Sequence, residues 1–129
     1  MSEQAKGHKG RILCTEDDPD TRDLLHMLLE VEGFEVVCAE DGAHAISLAE
    51  EDNFDLYLLD TWLPGLAGDA LCEKLRAFDS TTPILFYSGA AFESDKARAM
   101  AAGAQSYIVK PALPEELTSE ISRLIGSSK

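Results

Sequence analysis

The order of apolar and amphipathic segments constrains the fold of this chain more than any other feature. Five short apolar runs alternate with five segments of helical length. The runs hold few charges and several lack polar alternation, which is typical of strands buried on both faces of a parallel sheet. They cover residues 12–15, 34–39, 56–59, 84–87 and 107–109. Strand followed by helix, five times over, predicts a single α/β domain whose parallel sheet has helices on both faces.

The segments between the apolar runs carry the start and stop signals of helices. Asp18 can cap the first helix and Pro19 suits its first turn. Gly33 can end it, so we predict a helix over 19–32. We expect its apolar stripe to consist of Leu24, Leu25, Leu28 and Leu29. The remaining helices are predicted over 42–51, 68–78, 94–102 and 114–125.

The length of the chain, 129 residues, fits one domain. We expect residues 1–10 to form a flexible N-terminal tail, 11–126 the folded domain and 127–129 a short C-terminal tail. The start of the chain is polar and lacks the apolar stretch of a signal peptide. Since no apolar run approaches the length of a membrane span either, we predict a cytoplasmic protein.

The charge of the chain is strongly acidic, with 24 Asp and Glu against 11 Lys and Arg and a net charge of -13. Such a surface repels phosphate backbones and acidic lipids, so we expect no direct binding to nucleic acid or to a membrane. Three cysteines, Cys14, Cys38 and Cys72, are an odd number without metal-ligand spacing. We interpret them as reduced, buried thiols.

Polar residues of particular kinds follow four of the five predicted strands. They are Glu16, Asp17 and Asp18 after the first strand, Asp60 after the third, Ser88 at the fourth and Lys110 at the fifth. Each alone has a common structural explanation as a cap, a turn residue or a solvated charge. The carboxyl ends of parallel strands share one edge of the sheet, however, so the whole set predicts a functional site there.

The chemistry of this predicted site follows from its residue types. Carboxylates at close range repel one another, and a divalent cation such as Mg²⁺ (or Mn²⁺) relieves that repulsion through oxygen ligands. A carboxylate is also a nucleophile toward phosphorus and can form an acyl phosphate. Lys110 would then pair with the transferred group, and Ser88 would hydrogen-bond one of its oxygens.

Four stretches of the sequence match a known family closely. They are ILCTEDDPDTRDLL, LYLLDTWLPGLAG, PILFYSGA and GAQSYIVKP. Through them, residues 10–126 resemble the receiver domains of bacterial two-component response regulators. The resemblance implies a single-domain, doubly wound, flavodoxin-like three-layer sandwich with five parallel strands in the order 2-1-3-4-5. It also implies a phosphoacceptor switch in a phosphorelay, which is not a turnover enzyme on an external substrate.

The resemblance also assigns roles to individual residues. It implies that Asp60 is the phosphoacceptor and that Lys110 is the lysine of the family's site. The implied metal ligands are Glu16, Asp17, Asp60 and the backbone carbonyl of Trp62. Ser88 would be the switch hydroxyl, and Tyr107 the aromatic ring that turns inward when that hydroxyl moves.

The partners implied by the resemblance are proteins. The phosphoryl donor would be a phosphohistidine on a sensor histidine kinase or on a histidine phosphotransfer protein. The surface that switches would be the face made by helix four, strand five and helix five, which binds an unidentified downstream protein and is also a possible homodimer interface.

Two positions depart from the family pattern. The first acidic residue is Glu16 where the family usually has Asp, and it often reaches the metal through water. Ala67 stands where the family often has Asp. Trp62 is the most individual residue: it either shields the phosphorylated site from water, contacts a partner, or packs on its own loop.

Three alternative functions remain open from the sequence. A phosphohydrolase of the haloacid dehalogenase type needs a second acid two residues after its nucleophile, where this chain has Trp62. A nucleotide- or flavin-binding module needs a glycine-rich loop after the first strand, where this chain is acidic. The third alternative is a degenerate receiver that only binds proteins. Such a domain would not require the intact set of site residues that this chain has, and the intact set argues against it.

Overall fold

The computed structural model of the chain describes residues 9–128 and consists of five strands and five helices in alternation. The strands are β1 Arg11–Thr15, β2 Glu35–Ala39, β3 Leu56–Leu59, β4 Ile84–Ser88 and β5 Ser106–Val109. The helices are α1 Pro19–Val31, α2 Gly42–Glu51, α3 Gly68–Phe78, α4 Glu93–Ala102 and α5 Pro114–Ser128. All ten predicted elements are present.

The five strands form one parallel sheet in the order β2-β1-β3-β4-β5. The order confirms the predicted doubly wound topology. In the register, Thr15 pairs with Leu59, the last residue of β3, so β1 and β3 end side by side. Residues that follow these two strands therefore emerge together at one edge of the sheet.

The core has two layers, one on each face of the sheet. Helices α2, α3 and α4 cover the first face, where the buried side chains include Leu13, Ala45, Tyr57, Leu59, Leu71, Phe86 and Ala99. Helices α1 and α5 cover the second face, with Ile12, Leu25, Leu29, Leu58, Ile121 and Leu124. Alternate residues of one strand point to opposite layers, which explains why the strands are apolar throughout. This is the predicted three-layer arrangement.

The cysteines follow the predicted burial at two of their three positions. Cys14 and Cys72 are buried, Cys38 is half-buried, and all three are free thiols. Across residues 9–128, no helix combines the length and the apolar character needed to cross a membrane.

Two details of the helices differ from the predictions. Leu24, expected in the buried stripe of α1, is 56% exposed, whereas Leu25 and Leu29 are buried. Leu25 and Leu29 are four residues apart and share one face of the helix, while Leu24 lies about 100° away from Leu25 around the helix axis. Helix α5 continues through Gly126 to Ser128, because Gly126 does not adopt the left-handed conformation that ends helices.

The predicted N-terminal tail, 1–10, lies mostly outside the described residues. Lys9 and Gly10 are already part of the fold: the Lys9 amide donates to the Gly33 carbonyl at 2.7 Å, and the Glu35 amide donates to the Gly10 carbonyl at 2.9 Å. Gly10 is also buried. The tail at residues 1–8 and the end of the chain at 129 stay predictions.

Asp79 stabilises the turn between α3 and β4, and replacing it with asparagine should weaken the fold. Its carboxylate accepts bonds from the Tyr57 hydroxyl at 2.7 Å, the Thr82 hydroxyl at 2.7 Å and the backbone amides of Thr81 and Thr82. We expect Asp79→Asn to lower the unfolding free energy by about 2 kcal/mol at neutral pH, because hydrogen bonds to a charged acceptor are lost. Denaturant unfolding measures this loss, with exposed Asp23→Asn as the control.

The effect of Asp79 should depend on pH. Burial alone would raise the pKa of Asp79, but hydrogen bonds from Tyr57 and Thr82 lower it to about 2. A carboxyl whose pKa is lower in the folded chain stabilises the fold above the unfolded pKa, near 4, and loses that contribution as the pH falls toward 2. The difference between wild type and Asp79→Asn should therefore shrink between pH 4 and pH 2. A constant difference would contradict this account.

Candidate functional site

Three carboxylates meet at the carboxyl edge of the sheet. Glu16 follows β1 and Asp60 follows β3, and these two residues are 4% and 7% exposed. Asp17 is exposed beside them. One carboxylate oxygen from each of the three lies within 4.8 Å of the others. The structure thus brings together the three acidic side chains that the family resemblance implied as metal ligands.

The loop after β1 is held so that Glu16 and Asp17 reach the site while Asp18 turns away. The Glu16 amide donates to the Ala39 carbonyl at 3.0 Å. The Arg22 guanidinium donates to the carbonyls of Glu16 at 2.9 Å and Asp17 at 3.3 Å. Asp18 accepts from the Thr21 amide at 2.9 Å, which confirms its prediction as the cap of α1.

Lys110 joins the two buried carboxylates. Its Nζ donates to Glu16 Oε1 at 3.1 Å and lies 3.5 Å from Asp60 Oδ2. Burial alone would lower the pKa of Lys110, but the charges of Asp60 and Glu16 outweigh it and raise the pKa above its ordinary value. Burial raises the pKa of Glu16, against the opposing influence of the Asp18 amide and Lys110. The ammonium group of Lys110 therefore remains charged and ready to pair with an anion.

The backbone after Asp60 holds its carboxylate in place. The Thr61 amide donates to Asp60 Oδ1 at 2.7 Å, and the Gly68 amide donates to the Thr61 carbonyl at 2.9 Å. A Cβ atom on Gly68 would lie only 2.2 Å from the Asp60 carbonyl oxygen. Only glycine lets the start of α3 approach so closely, and this approach ties the Asp60 loop to the helix.

Ser88 and Tyr107 lie on the neighbouring strands. Ser88 is fully buried, and its Oγ accepts from the Ala90 amide at 3.1 Å. The Tyr107 ring stacks on Phe86 with centroids 5.6 Å apart and an interplanar angle of 6°. Its hydroxyl donates to the Ala90 carbonyl at 2.6 Å. The Tyr107 ring is therefore already packed inward. The family resemblance implied that the ring turns inward only when the Ser88 hydroxyl moves.

Trp62 lies at the rim of the site and is 65% exposed. A Cβ atom placed on Gly89 would lie 3.6 Å from Trp62 Cζ3, so the indole edge faces the loop after β4. Shielding of the site, contact with a partner and packing on its own loop all stay predictions for this ring. Ala90, two residues beyond Ser88, is only 2% exposed and contributes its backbone to Tyr107.

The arrangement suits the chemistry of a phosphorylated carboxylate. Three converging carboxylates offer hard oxygen ligands, which Mg²⁺ prefers, so the residues present fit this cation. The ammonium group next to Asp60 can neutralise an incoming phosphoryl group. A parallel, doubly wound sheet with converging carboxylates and a lysine at its carboxyl edge is typical of the phosphoacceptor class of signalling domains.

Comparison with known proteins identifies the family. The family described as "Response regulator receiver domain" matches residues 12–122, so the chain belongs to the receiver domains of two-component response regulators. It is 40% identical over 111 residues to a transcriptional regulatory protein, YrkP, of Bacillus subtilis, and 37% identical over 111 residues to the DNA-binding response regulator MtrA of Mycolicibacterium smegmatis. Both matches cover 86% of this chain but only 47% and 48% of those proteins, so the chain spans about half their length.

Solved structures agree with the family. The receiver domain of the Francisella response regulator 1452 has a TM-score of 0.88 at 26% identity and covers 94% of this chain and 100% of its own. The receiver domain of the sensor histidine kinase PA1611 of Pseudomonas aeruginosa has a TM-score of 0.85 at 30% identity, covering 91% of this chain and 98% of its own. That domain holds a magnesium ion coordinated in its active-site cleft.

Three residues that shape the site were missed from sequence. Arg22 fixes the acidic loop, Thr61 contacts both Asp60 and Tyr107, and Gly68 permits the close approach of α3. The sequence signal for Thr61 is its place next to Asp60, just beyond a buried strand, and the signal for Gly68 is a glycine at a helix start. Arg22 carries no such local signal, because its contacts run back to backbone carbonyls before the helix.

Proposed function

We propose that Asp60 accepts a phosphoryl group from a phosphohistidine on a sensor histidine kinase or a histidine phosphotransfer protein. The observation that carries the proposal is the position of Asp60: it is nearly buried among carboxylates, and the Lys110 ammonium group lies 3.5 Å from its Oδ2. A buried carboxylate can act as a nucleophile toward phosphorus, and the positive charge beside it would stabilise the negatively charged acyl phosphate that forms. We assign this role to the domain at residues 11–126.

In the proposed step, a carboxylate oxygen of Asp60 attacks the phosphorus in line with the leaving imidazole. The O–P bond forms as the P–N bond of the phosphohistidine breaks, and the imidazole leaves with the electron pair. Lys110 offsets negative charge on the transferring group. Glu16, Asp17, Asp60 and the backbone carbonyl of Trp62 would hold Mg²⁺ (or Mn²⁺). When bound, this cation neutralises charge on the phosphoryl oxygens.

We propose further that the domain promotes its own phosphorylation and dephosphorylation but is not a turnover enzyme on an external substrate. A phosphohydrolase of the haloacid dehalogenase type would need a general acid at the position of Trp62. The indole N–H does not ionise near neutral pH, so Trp62 cannot act as a general acid or base. The acidic loop of Glu16, Asp17 and Asp18 after β1 also argues against a nucleotide phosphate bound there. In this proposal, Asp60 is phosphorylated and dephosphorylated, and no external substrate is turned over.

The output proposed is a change in the surface formed by α4, β5 and α5. A phosphoryl group on Asp60 would draw the Ser88 hydroxyl toward it, and that hydroxyl now accepts from the Ala90 amide. A downstream protein, or a second copy of the domain, would bind this surface. With a net charge of -13, the domain itself is not proposed to bind nucleic acid or a membrane. We also propose a cytoplasmic location, where the domain would meet its phosphohistidine donor.

Intact-mass measurement after incubation with acetyl phosphate tests the proposal. We expect wild type to gain one phosphoryl group when Mg²⁺ is present and none when it is chelated. Asp60→Asn should gain none under either condition, because an amide oxygen is not a competent nucleophile here. Asp20→Asn, an exposed aspartate on α1, is the matched control and should be phosphorylated like wild type. Equal phosphorylation of wild type and Asp60→Asn would show that another residue is the acceptor.

A further inference from the structure

Thr61 contacts both the proposed phosphoacceptor and the aromatic ring on β5. Its backbone amide donates to Asp60 Oδ1 at 2.7 Å. Its side-chain hydroxyl lies 3.1 Å from the Tyr107 hydroxyl, although 46 residues separate the two along the chain. A single residue therefore connects the carboxylate at the end of β3 with the aromatic ring carried by β5.

The direction of these hydrogen bonds follows from the protons available. Tyr107 has one hydroxyl proton, and the Ala90 carbonyl, 2.6 Å away, can only accept. That proton is therefore committed to Ala90, and the Thr61 hydroxyl must be the donor to the Tyr107 oxygen. The result is a chain of bonds from Thr61 through Tyr107 to Ala90, whose own amide donates to Ser88 at 3.1 Å.

The Tyr107 ring is held on two sides. Phe86 stacks against its face at 5.6 Å, and Thr61 and Ala90 satisfy its hydroxyl. If the ring turned outward, it would lose the stacking contact and both hydrogen bonds, and the Thr61 hydroxyl would lose its acceptor. None of these contacts requires a phosphoryl group on Asp60.

We propose that Thr61 is a positioning residue that holds Tyr107 inward before phosphorylation, so that the surface of α4, β5 and α5 is preset toward its partner-binding form. This inference rests on the proposed phosphoacceptor function. Its consequence is that phosphorylation changes Ser88 and the Ala90 amide more than it changes the position of the Tyr107 ring. The domain would accordingly bind its partner to a measurable extent before it is phosphorylated.

Fluorine NMR of protein labelled with 3-fluorotyrosine tests the position of Tyr107. The chain has three tyrosines, Tyr57, Tyr87 and Tyr107, and the Tyr107→Phe variant assigns the signal of interest. We expect the Tyr107 signal of the free wild-type protein to lie close to its position in the beryllofluoride complex. In free Thr61→Val the signal should move away, with the ratio of inward to outward ring reduced about fivefold by the loss of one hydrogen bond. Thr61→Ser, which keeps the hydroxyl, should restore it.

Thr15→Val is the matched control for removal of a threonine hydroxyl. Thr15 is 1% exposed, and its hydroxyl has no hydrogen-bond partner within residues 9–128, so the Tyr107 signal should not move. The proposal is wrong if Thr61→Val leaves the signal in place, or if beryllofluoride shifts it far in wild type. Failure of beryllofluoride to bind at all would instead count against Asp60 as the acceptor, and the comparison of the free variants would still decide the role of Thr61.

Discussion

Replacing Lys110 with methionine is expected to slow phosphorylation of Asp60 by acetyl phosphate by about a hundredfold or more. Methionine keeps much of the length of the side chain but removes the charge 3.1 Å from Glu16 and 3.5 Å from Asp60. The phosphoryl group brings additional negative charge into a site that then lacks its fixed cation. Rates from intact-mass measurements at saturating Mg²⁺ give this effect directly. Lys74→Met, an exposed lysine on α3, changes the net charge equally and is the control.

The same variant should also show a stability loss that depends on pH. Burial raises the pKa of Glu16, which means that the folded chain holds the Glu16 proton more strongly than the unfolded chain does. Such a group favours folding at low pH and disfavours it as the pH rises through the folded pKa. Without Lys110, Glu16 has lost its positively charged partner, so the deficit in unfolding free energy relative to wild type should be largest at neutral pH and shrink in acid. If phosphorylation is a hundredfold slower but the stability deficit does not depend on pH in this way, Lys110 acts on the reaction and not on the stability of the fold.

Wild-type rates in Lys110→Met would contradict the role given to the ammonium group. Charge neutralisation would then have to come from the bound cation alone, and the rate should become steeply dependent on Mg²⁺ concentration. Comparing the Mg²⁺ dependence of wild type and variant separates this case from one in which Lys110 acts only on stability.

The order of elements could be predicted because each strand is buried on both faces and each helix has its own end signals. The bounds of α2, α3 and β3 agree with their predictions at both ends. The distinction between Asp17 and Asp18 was also predictable, since Pro19 marks the residue before it as a helix cap. These features depend on interactions between residues that are close in sequence, so they can be predicted from the sequence.

The features that sequence did not reveal depend on contacts between distant residues. Nothing near Tyr107 in sequence indicates that Thr61 satisfies its hydroxyl, because β3 and β5 are separated by β4 in the sheet. The exposure of Leu24 depends on how α1 is rotated against the sheet, which a run of four leucines leaves ambiguous. The continuation of α5 through Gly126 likewise depends on the backbone conformation there, for which a glycine is only a weak signal.

Gly68→Ala is expected to lower the unfolding free energy by about 3 kcal/mol, because the new methyl group has no room. It would lie 2.2 Å from the Asp60 carbonyl oxygen, 2.9 Å from Phe86 Cε2 and 3.0 Å from Thr61 Cα. The contacts with Asp60 and Thr61 are made by backbone atoms, so either α3 or the phosphoacceptor loop must move. Because that loop carries Asp60, we also expect phosphorylation to slow roughly tenfold or more.

Gly126→Ala provides the opposite case on the same scaffold. Gly126 lies within α5, has no positive φ, and a Cβ atom there would meet nothing within 4 Å. Alanine should therefore stabilise the domain by about 0.5 to 1 kcal/mol, because it restricts the unfolded chain and favours the helix. Denaturant unfolding of both variants, together with their phosphorylation rates, tests the argument. If the two substitutions change stability in the same direction, steric contact with the Asp60 loop is not what requires glycine at position 68.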